Sequence, residues 1–283
     1  STKLVFLEAS PGLAIRLPGR VNIGLGYRFT LMTLTRLTQP EGQLPTTNFE
    51  LTGSEASGFR AGLQWTALEA SKGPIELQLG LSYRHRVIVP VAAANGTAVT
   101  MNFRDIESTF TLPSRLIAGL SAQKSGYRLH VDVEHGFNSQ NQSSELKGMQ
   151  ILDNQDQGVL GVKNIFDWQD AQTWRLGLQA PLALRDQKLL ARVGYAYDGT
   201  TSSKVYPTAF GTPPGPTQVL TAGFGLRPKN MKIDLAFAHR FGSATVRQSD
   251  LEKRTEVCLF CSHPGEYEIT MNGLYASVVY EVP

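Results

Sequence analysis

A chain of 283 residues with 41% hydrophobic side chains, only 18% charged ones, 27 glycines and a formal net charge of +3 rules out several classes. No run approaches the roughly 18 apolar residues that a membrane-spanning helix needs, and the weak, dispersed positive charge offers no surface for nucleic acid. Ser1–Leu17 lacks the basic start and apolar core of a secretory signal, as a mature exported chain would.

Residues 1–283 read as one β domain, opened by a short N-terminal segment over residues 1–12. Lys3–Leu7 predicts a strand joined through a turn at Ser10–Gly12. Beyond it, period-two alternation dominates, the mark of strands with one apolar and one polar face. Val21, Ile23, Leu25, Tyr27, Phe29 and Leu31 alternate with Asn22, Gly24, Gly26, Arg28 and Thr30. Phe59, Ala61, Leu63 and Trp65 alternate with Arg60, Gly62, Gln64 and Thr66. From Ile75 to Val89 the odd positions are apolar apart from His85, against Glu76, Gln78, Gly80, Ser82, Arg84, Arg86 and Ile88. The same pattern returns in Tyr127–Phe137, Trp174–Ala180, Leu189–Tyr197, Met231–Phe241 and Leu274–Tyr280.

Short connections at Pro18–Arg20, Glu69–Gly73, Gln123–Gly126, Ala183–Gln187 and Arg227–Asn230 alternate with longer ones. The longer ones are Thr38–Asn48, Ala92–Thr97, Leu146–Gly158, Thr200–Pro216 and Ser243–Pro264. Short inner turns and longer outer loops are the asymmetry of transmembrane barrels. An all-β transmembrane antiparallel barrel is therefore expected. It has twelve strands, or fourteen if Ala98–Ala122 or Leu146–Asp167 hides a further turn. A soluble sandwich would point its apolar rows inward. Here the polar rows carry many glycines beside their arginines, which suits a lumen better than a solvent face. Trp65, Tyr83, Tyr127, Trp174, Tyr195, Tyr197 and Tyr280 on the apolar rows supply an interfacial girdle.

Several segments resemble the FadL/TodX family of outer-membrane transporters for long-chain fatty acids and hydrocarbons. They are GFRAGLQW from Gly58, IELQLGLSYRH from Ile75, LPSRLIAGLSAQ from Leu112, FDWQDAQTWRLGL from Phe166, LLARVGYAYDG from Leu189 and TAGFGLRPKNMKIDLAFAHRF from Thr221. The resemblance runs from about Gly58 to the end, and its weight lies in the order and spacing of the segments. It implies residence in the bacterial outer membrane and passive uptake of hydrophobic or amphipathic molecules, through a wall opening that Gly53–Gly58 or Asn102–Pro113 could host. Two features depart from the family. About a dozen residues precede the first clear strand, leaving no room for a plugging hatch of normal size, and the chain ends in Val282–Pro283 rather than an aromatic residue.

The expected lumen lining is Arg28, Arg60, Arg84, Arg86, Arg128, Arg175, Arg192 and Arg240. Guanidinium groups there either bind an anionic head group or pair with carboxylates and fill space. Arg60, Arg84 and Arg86 form the best-placed ligand cluster. His85 and His239 fall on apolar rows, near an interface or at a bulge. Cys258 and Cys261 suit a small loop disulfide better than zinc, since only His263 stands by as a third ligand. No catalytic frame appears, so neither an enzyme activity, a metal nor a cofactor is expected. Expected partners are outer-membrane lipid and lipopolysaccharide, and a hydrophobic small molecule. Two other roles fit the same pattern: a structural barrel anchoring or encircling protein partners of an envelope complex, and a nonspecific porin.

Overall fold

The computed structural model describes residues 1–38, 46–69, 74–98, 100–184, 187–207, 213–227, 230–257 and 263–280, with residues 183, 184, 187 and 188 described as backbone only. The strands are β1 (Thr2–Ala9), β2 (Gly12–Leu17), β3 (Val21–Thr38), β4 (Thr47–Leu68), β5 (Glu76–Arg84), β6 (Val87–Ala98), β7 (Met101–Leu112) and β8 (Arg115–Lys124). They continue with β9 (Tyr127–Gly136), β10 (Ser143–Leu152), β11 (Gln155–Ile165), β12 (Ala171–Leu184), β13 (Gln187–Asp198), β14 (Thr217–Leu226), β15 (Met231–Val246) and β16 (Gly265–Tyr280). All sixteen belong to one antiparallel sheet. No helix of the described residues is long and apolar enough to cross a membrane.

Sixteen strands make eleven passes, because five passes are broken in two. β1 and β2 lie end to end along β3, so the turn expected at Ser10–Gly12 is absent and the twelfth strand with it. The other breaks fall between β5 and β6, β7 and β8, β9 and β10, and β11 and β12. No further turn arises within Leu146–Asp167 among the described residues, so no fourteenth strand is gained: the connection expected at Leu146–Gly158 is itself a tight hairpin. Asp153 and Asn154 both take positive φ (50° and 60°), as a two-residue hairpin matching the strand twist requires. Ala92–Thr97 and most of Leu146–Gly158 are therefore strand rather than outer loop. Their weak alternation hid them.

Register explains why these sequences form this sheet. On the short-turn half, one face carries Leu13, Leu25, Ala61, Tyr83 and Leu116 side by side across five strands. Further round it carries Leu129, Leu178, Val193, Ala222, Phe237 and Leu274. These side chains are not covered by protein; Leu13 and Leu274 are each 85% exposed. The opposite face carries Gly12, Gly26, Arg60, Arg84 and Arg115, then His130, Gly177, Gly194, Thr221, Ala238 and Gly273. Apolar rows facing outward, with charged and small rows within, require lipid outside and water inside.

The long-connection half inverts this polarity. There Met32, Phe49, Leu51, Val87, Val89, Val91, Phe103 and Ile106 are buried on the inner face and form a dry core, with Leu34 and Leu146 against it. Their outward neighbours include Glu50, Thr52, Asn102 and Arg104. The switch has local causes. A bulge in β4 at Ala56–Ser57 shifts its pairing with β3, and Glu55 accepts both freed N–H groups at 2.8 and 2.7 Å. His85–Arg86 and Pro113–Ser114 interrupt the next two passes at the same level. The sequence row Leu77–Val89 thus does not stay on one face: Leu79 and Leu81 point out, whereas Val87 and Val89 are fully buried. Beyond the bilayer the surroundings are water, so apolar side chains turn inward.

Close approach across this core fixes one glycine. A Cβ at Gly53 would lie 1.9 Å from the carbonyl oxygen of Pro90. Gly53→Ala is expected to push β4 and β6 apart and to destabilise the outer half by about 1–3 kcal/mol, read as faster amide exchange in β6 with β13–β15 unchanged. Equal exchange in both regions would contradict the packing.

Candidate functional site

The inner face of the short-turn half is the candidate site, and ion pairs organise it. Arg28 on β3 is fully buried. Its Nε and Nη2 donate to Glu8 at 3.0 and 2.6 Å, and its Nη1 to the His85 carbonyl at 2.7 Å. Arg84 reaches the same Glu8 oxygen at 2.9 Å, and Arg60 donates to the Ser10 carbonyl at 3.2 Å. Arg175 bridges Asp132 at 2.8 Å and Glu134 at 2.5 Å, and Arg115 closes on Glu134 from the other side. Arg192 binds Gln179 at 2.9 Å and Asp234 at 2.5 Å. Arg240 binds Thr217 and, at 2.9 Å, Asp198. Arg128 is held by Gln123, with no carboxylate partner among the described residues.

Seven of the eight expected arginines thus line one face, most of them neutralised. Arg86 stands apart: it lies exposed in the break between β5 and β6, its backbone N–H is bound to Ser114, and its guanidinium joins none of these pairs. The expected cluster of Arg60, Arg84 and Arg86 is therefore not assembled as a trio. Two partners escaped the sequence reading. Glu8 directly follows the apolar run Leu4–Leu7, where no alternation flags it, and Arg227, which joins Asp234 at 2.9 Å, sits beyond a strand end. His85 falls in a strand break and stacks on Phe59 at 4.6 Å, and His239 meets Asn272 at 2.8 Å on the outer face. Cys258 and Cys261 lie outside the described residues. Among those residues no cluster could hold a metal ion.

Between the ion pairs, glycine keeps the interior open. Cavities of about 510 and 640 Å³ lie against it. The first borders Gly62, Gly80 and Gly119, the second Gly177, Gly194 and Gly223, and both touch His130 and Asp132. A Cβ at Gly62, Gly80 or Gly177 would meet nothing closer than 3.6 Å. Packing does not demand glycine at these positions, so its effect is to leave room. A third hollow of about 500 Å³, at the short-turn end, opens on the lipid-facing side instead, walled by Ile75, Ala122, Leu129, Leu178, Ala180 and Val193, with Arg128 and Arg192 on its border.

The long connections are tied down. Tyr206, between β13 and β14, accepts the N–H groups of Thr255 and Glu256 at 2.9 and 3.0 Å, and Arg254 donates to the Val205 carbonyl at 2.8 Å. Ser139 holds Asp170 at 2.9 Å, with His135 at 3.6 Å. These bonds, the Ser139 contacts foremost, keep the Asp170 carboxyl below the ordinary aspartate value. A depressed folded pKa gives stability present above the ordinary value of 3.8 and lost as pH falls through the folded one. Partial exposure limits the effect to about 1 kcal/mol or less. Trp168, whose carbonyl shares Gln142 with Ser139, should report it. Its emission is expected to change below pH about 4 in the parent and to be altered already at neutral pH in Asp170→Asn. A flat acid profile in the parent would refute the link.

Lipid-facing rows, an inner face of paired charges and glycines, and tight turns at one end define the wall of a transmembrane antiparallel β-barrel. Its fold is of the FadL type. The chain is similar to a Pseudomonas aeruginosa FadL homologue, at 13% identity and TM-score 0.65, over 98% of this chain and 67% of that one. It is similar to the Ralstonia pickettii toluene transporter TbuX, at 16% identity and TM-score 0.64, over 99% and 69%. It is also similar to the CymD monoaromatic hydrocarbon channel, at 14% identity and TM-score 0.60, over 99% and 75%. No family model matches the chain, and no curated protein does.

Proposed function

We propose that this chain forms the wall of a bacterial outer-membrane channel that lets hydrophobic or amphipathic small molecules pass without covalent chemistry. The observation that carries this reading is the open interior of the wall, where two glycine-bordered cavities of about 510 and 640 Å³ lie on the inner face. An amphipathic body has room there, and an anionic head would find Arg128 on the same face, held by the neutral amide of Gln123. The hydrocarbon transporters that share the fold support the same substrate class. In proteoliposomes, the protein is expected to speed entry of a labelled long-chain fatty acid or toluene but not of a sugar of similar mass.

A nonspecific porin is the second reading, favoured by the hydrated, ion-paired lining. It predicts sugar flux and a large conductance in planar bilayers. Equal acceleration of sugar and fatty acid would replace the first reading with the second.

A further inference from the structure

The hollow in the lipid-facing wall at the short-turn end combines an apolar floor with an uncommitted cation. Ala180 and Ala191 pair across the β12–β13 hairpin and, with Ala122 on β8, set the floor of this hollow of about 500 Å³. Leu178 pairs with Leu129 on one side and Val193 on the other, and these longer side chains form its rim. The β12–β13 hairpin runs on past the β8–β9 turn. There Gly126 takes φ +86°, and a Cβ on it would lie 3.1 Å from the Pro181 ring. Lys124 and Tyr127 are paired across that turn, exposed, and border the hollow. At two other short turns the basic side chain is spent, Arg20 on Glu69 at 2.7 Å and Arg227 on Asp234 at 2.9 Å. Among the described residues, the Lys124 ammonium has no carboxylate partner and the Tyr127 hydroxyl no hydrogen-bond partner.

We propose that this hollow holds one anionic phospholipid of the leaflet at the short-turn end, with an acyl chain along the alanines and the phosphate on Lys124 and Tyr127. The proposal rests on the wall spanning a bilayer and not on what passes inside it. A hydrogen-bonded sheet cannot close over the gap, and an unfilled gap forfeits dispersion contacts along its lining. Hydrocarbon is the only filler available at that depth. The size of the hollow falls within the range of about 300–1,000 Å³ in which small molecules are held. The lysine stem lies on apolar surface while its ammonium reaches the head-group level, and a tyrosine hydroxyl belongs at the same level. A phosphatidylglycerol head offers the ammonium a phosphate without competition. A phosphatidylethanolamine head brings an ammonium of its own, so Lys124 should favour the first.

The test titrates the full polypeptide as cells make it, folded in detergent, with dioleoyl phosphatidylglycerol or dioleoyl phosphatidylethanolamine and counts bound lipids by native mass spectrometry. The parent is expected to bind a first phosphatidylglycerol about fivefold more tightly than a first phosphatidylethanolamine, the worth of one basic side chain at an anionic head group. Lys124→Gln should remove that preference and leave phosphatidylethanolamine binding unchanged. Ala180→Phe and Ala191→Phe, which fill the floor, should each weaken the first binding of both lipids by about tenfold or more, since several methylenes lose their seat. Ala118→Phe, exposed on β8 but outside the hollow, should change neither. A first lipid indistinguishable from later ones, equal affinity of the parent for the two lipids, or equal losses in Ala118→Phe and Ala180→Phe would each overturn the proposal. Lys124→Gln alters one exposed side chain, so it tests the head-group contact even if a filled variant fails to fold. Because no flux is read, the site can fail while passage through the wall is observed, and the reverse.

Discussion

Arg28→Met is expected to cost about 3–5 kcal/mol, the range for removing one member of a buried ion pair. The arginine is fully buried and makes three hydrogen bonds, two to Glu8 and one to the His85 carbonyl. Without it, Glu8 keeps only the half-exposed Arg84 as a cationic partner, beside the Ser10 hydroxyl, and the His85 carbonyl loses its side-chain donor at the point where the inner face changes polarity. Loss should appear in urea unfolding from detergent micelles. Arg28→Met combined with Glu8→Leu should recover a good part of it, because an apolar pair of similar volume has no stranded charge. Arg86→Ala, two passes away and outside the ion pairs, should stay within about 0.5 kcal/mol. Equal effects at Arg28 and Arg86 would dismiss the junction as a structural lock.

Gly62→Phe and Gly177→Phe should each leave the barrel folded and slow passage, and together they should slow it by about tenfold or more, or about 1.4 kcal/mol added to the barrier. Both glycines have room for a Cβ, with nearest atoms at 3.6 and 3.8 Å, so a ring there projects into the cavities rather than into backbone. Strand stability should not fall, since glycine is itself a poor strand residue. Heat-resistant migration in gels checks folding, and the proteoliposome assay reads flux. Unchanged flux in the double variant would show that passage does not follow this face. Gly223→Phe is a poor substitute: a Cβ there comes within 2.7 Å of the Leu235 carbonyl, and a lost fold would mask a blocked path.

Much of this was legible in the sequence because the side-chain period of a strand is two and a membrane forces the two faces apart. Leu25, Leu63, Leu81 and Tyr127 could be assigned to lipid, and Arg60, Arg175, Arg192 and Arg240 to the inner face, from alternation alone; each keeps that side in the structure. The FadL-type resemblance rested on short segments in order, and the fold agrees with it.

Alternation assigns residues to alternate faces but does not say which solvent each face meets, nor where the phase slips. The row from Leu77 to Val89 reads as one apolar face, yet the interruption at His85–Arg86 turns Val87 and Val89 into a core that Phe49 and Leu51 complete from another strand. Which carboxylate answers which arginine was equally hidden, because Glu8 and Arg28 stand 20 residues apart in sequence and meet only when β1 lies along β3. The strand period and the lipid-facing rows are properties of the sequence. The inversion of polarity and the ion-pair partners belong to the tertiary fold, because both depend on bulges and registers that bring distant residues to one level.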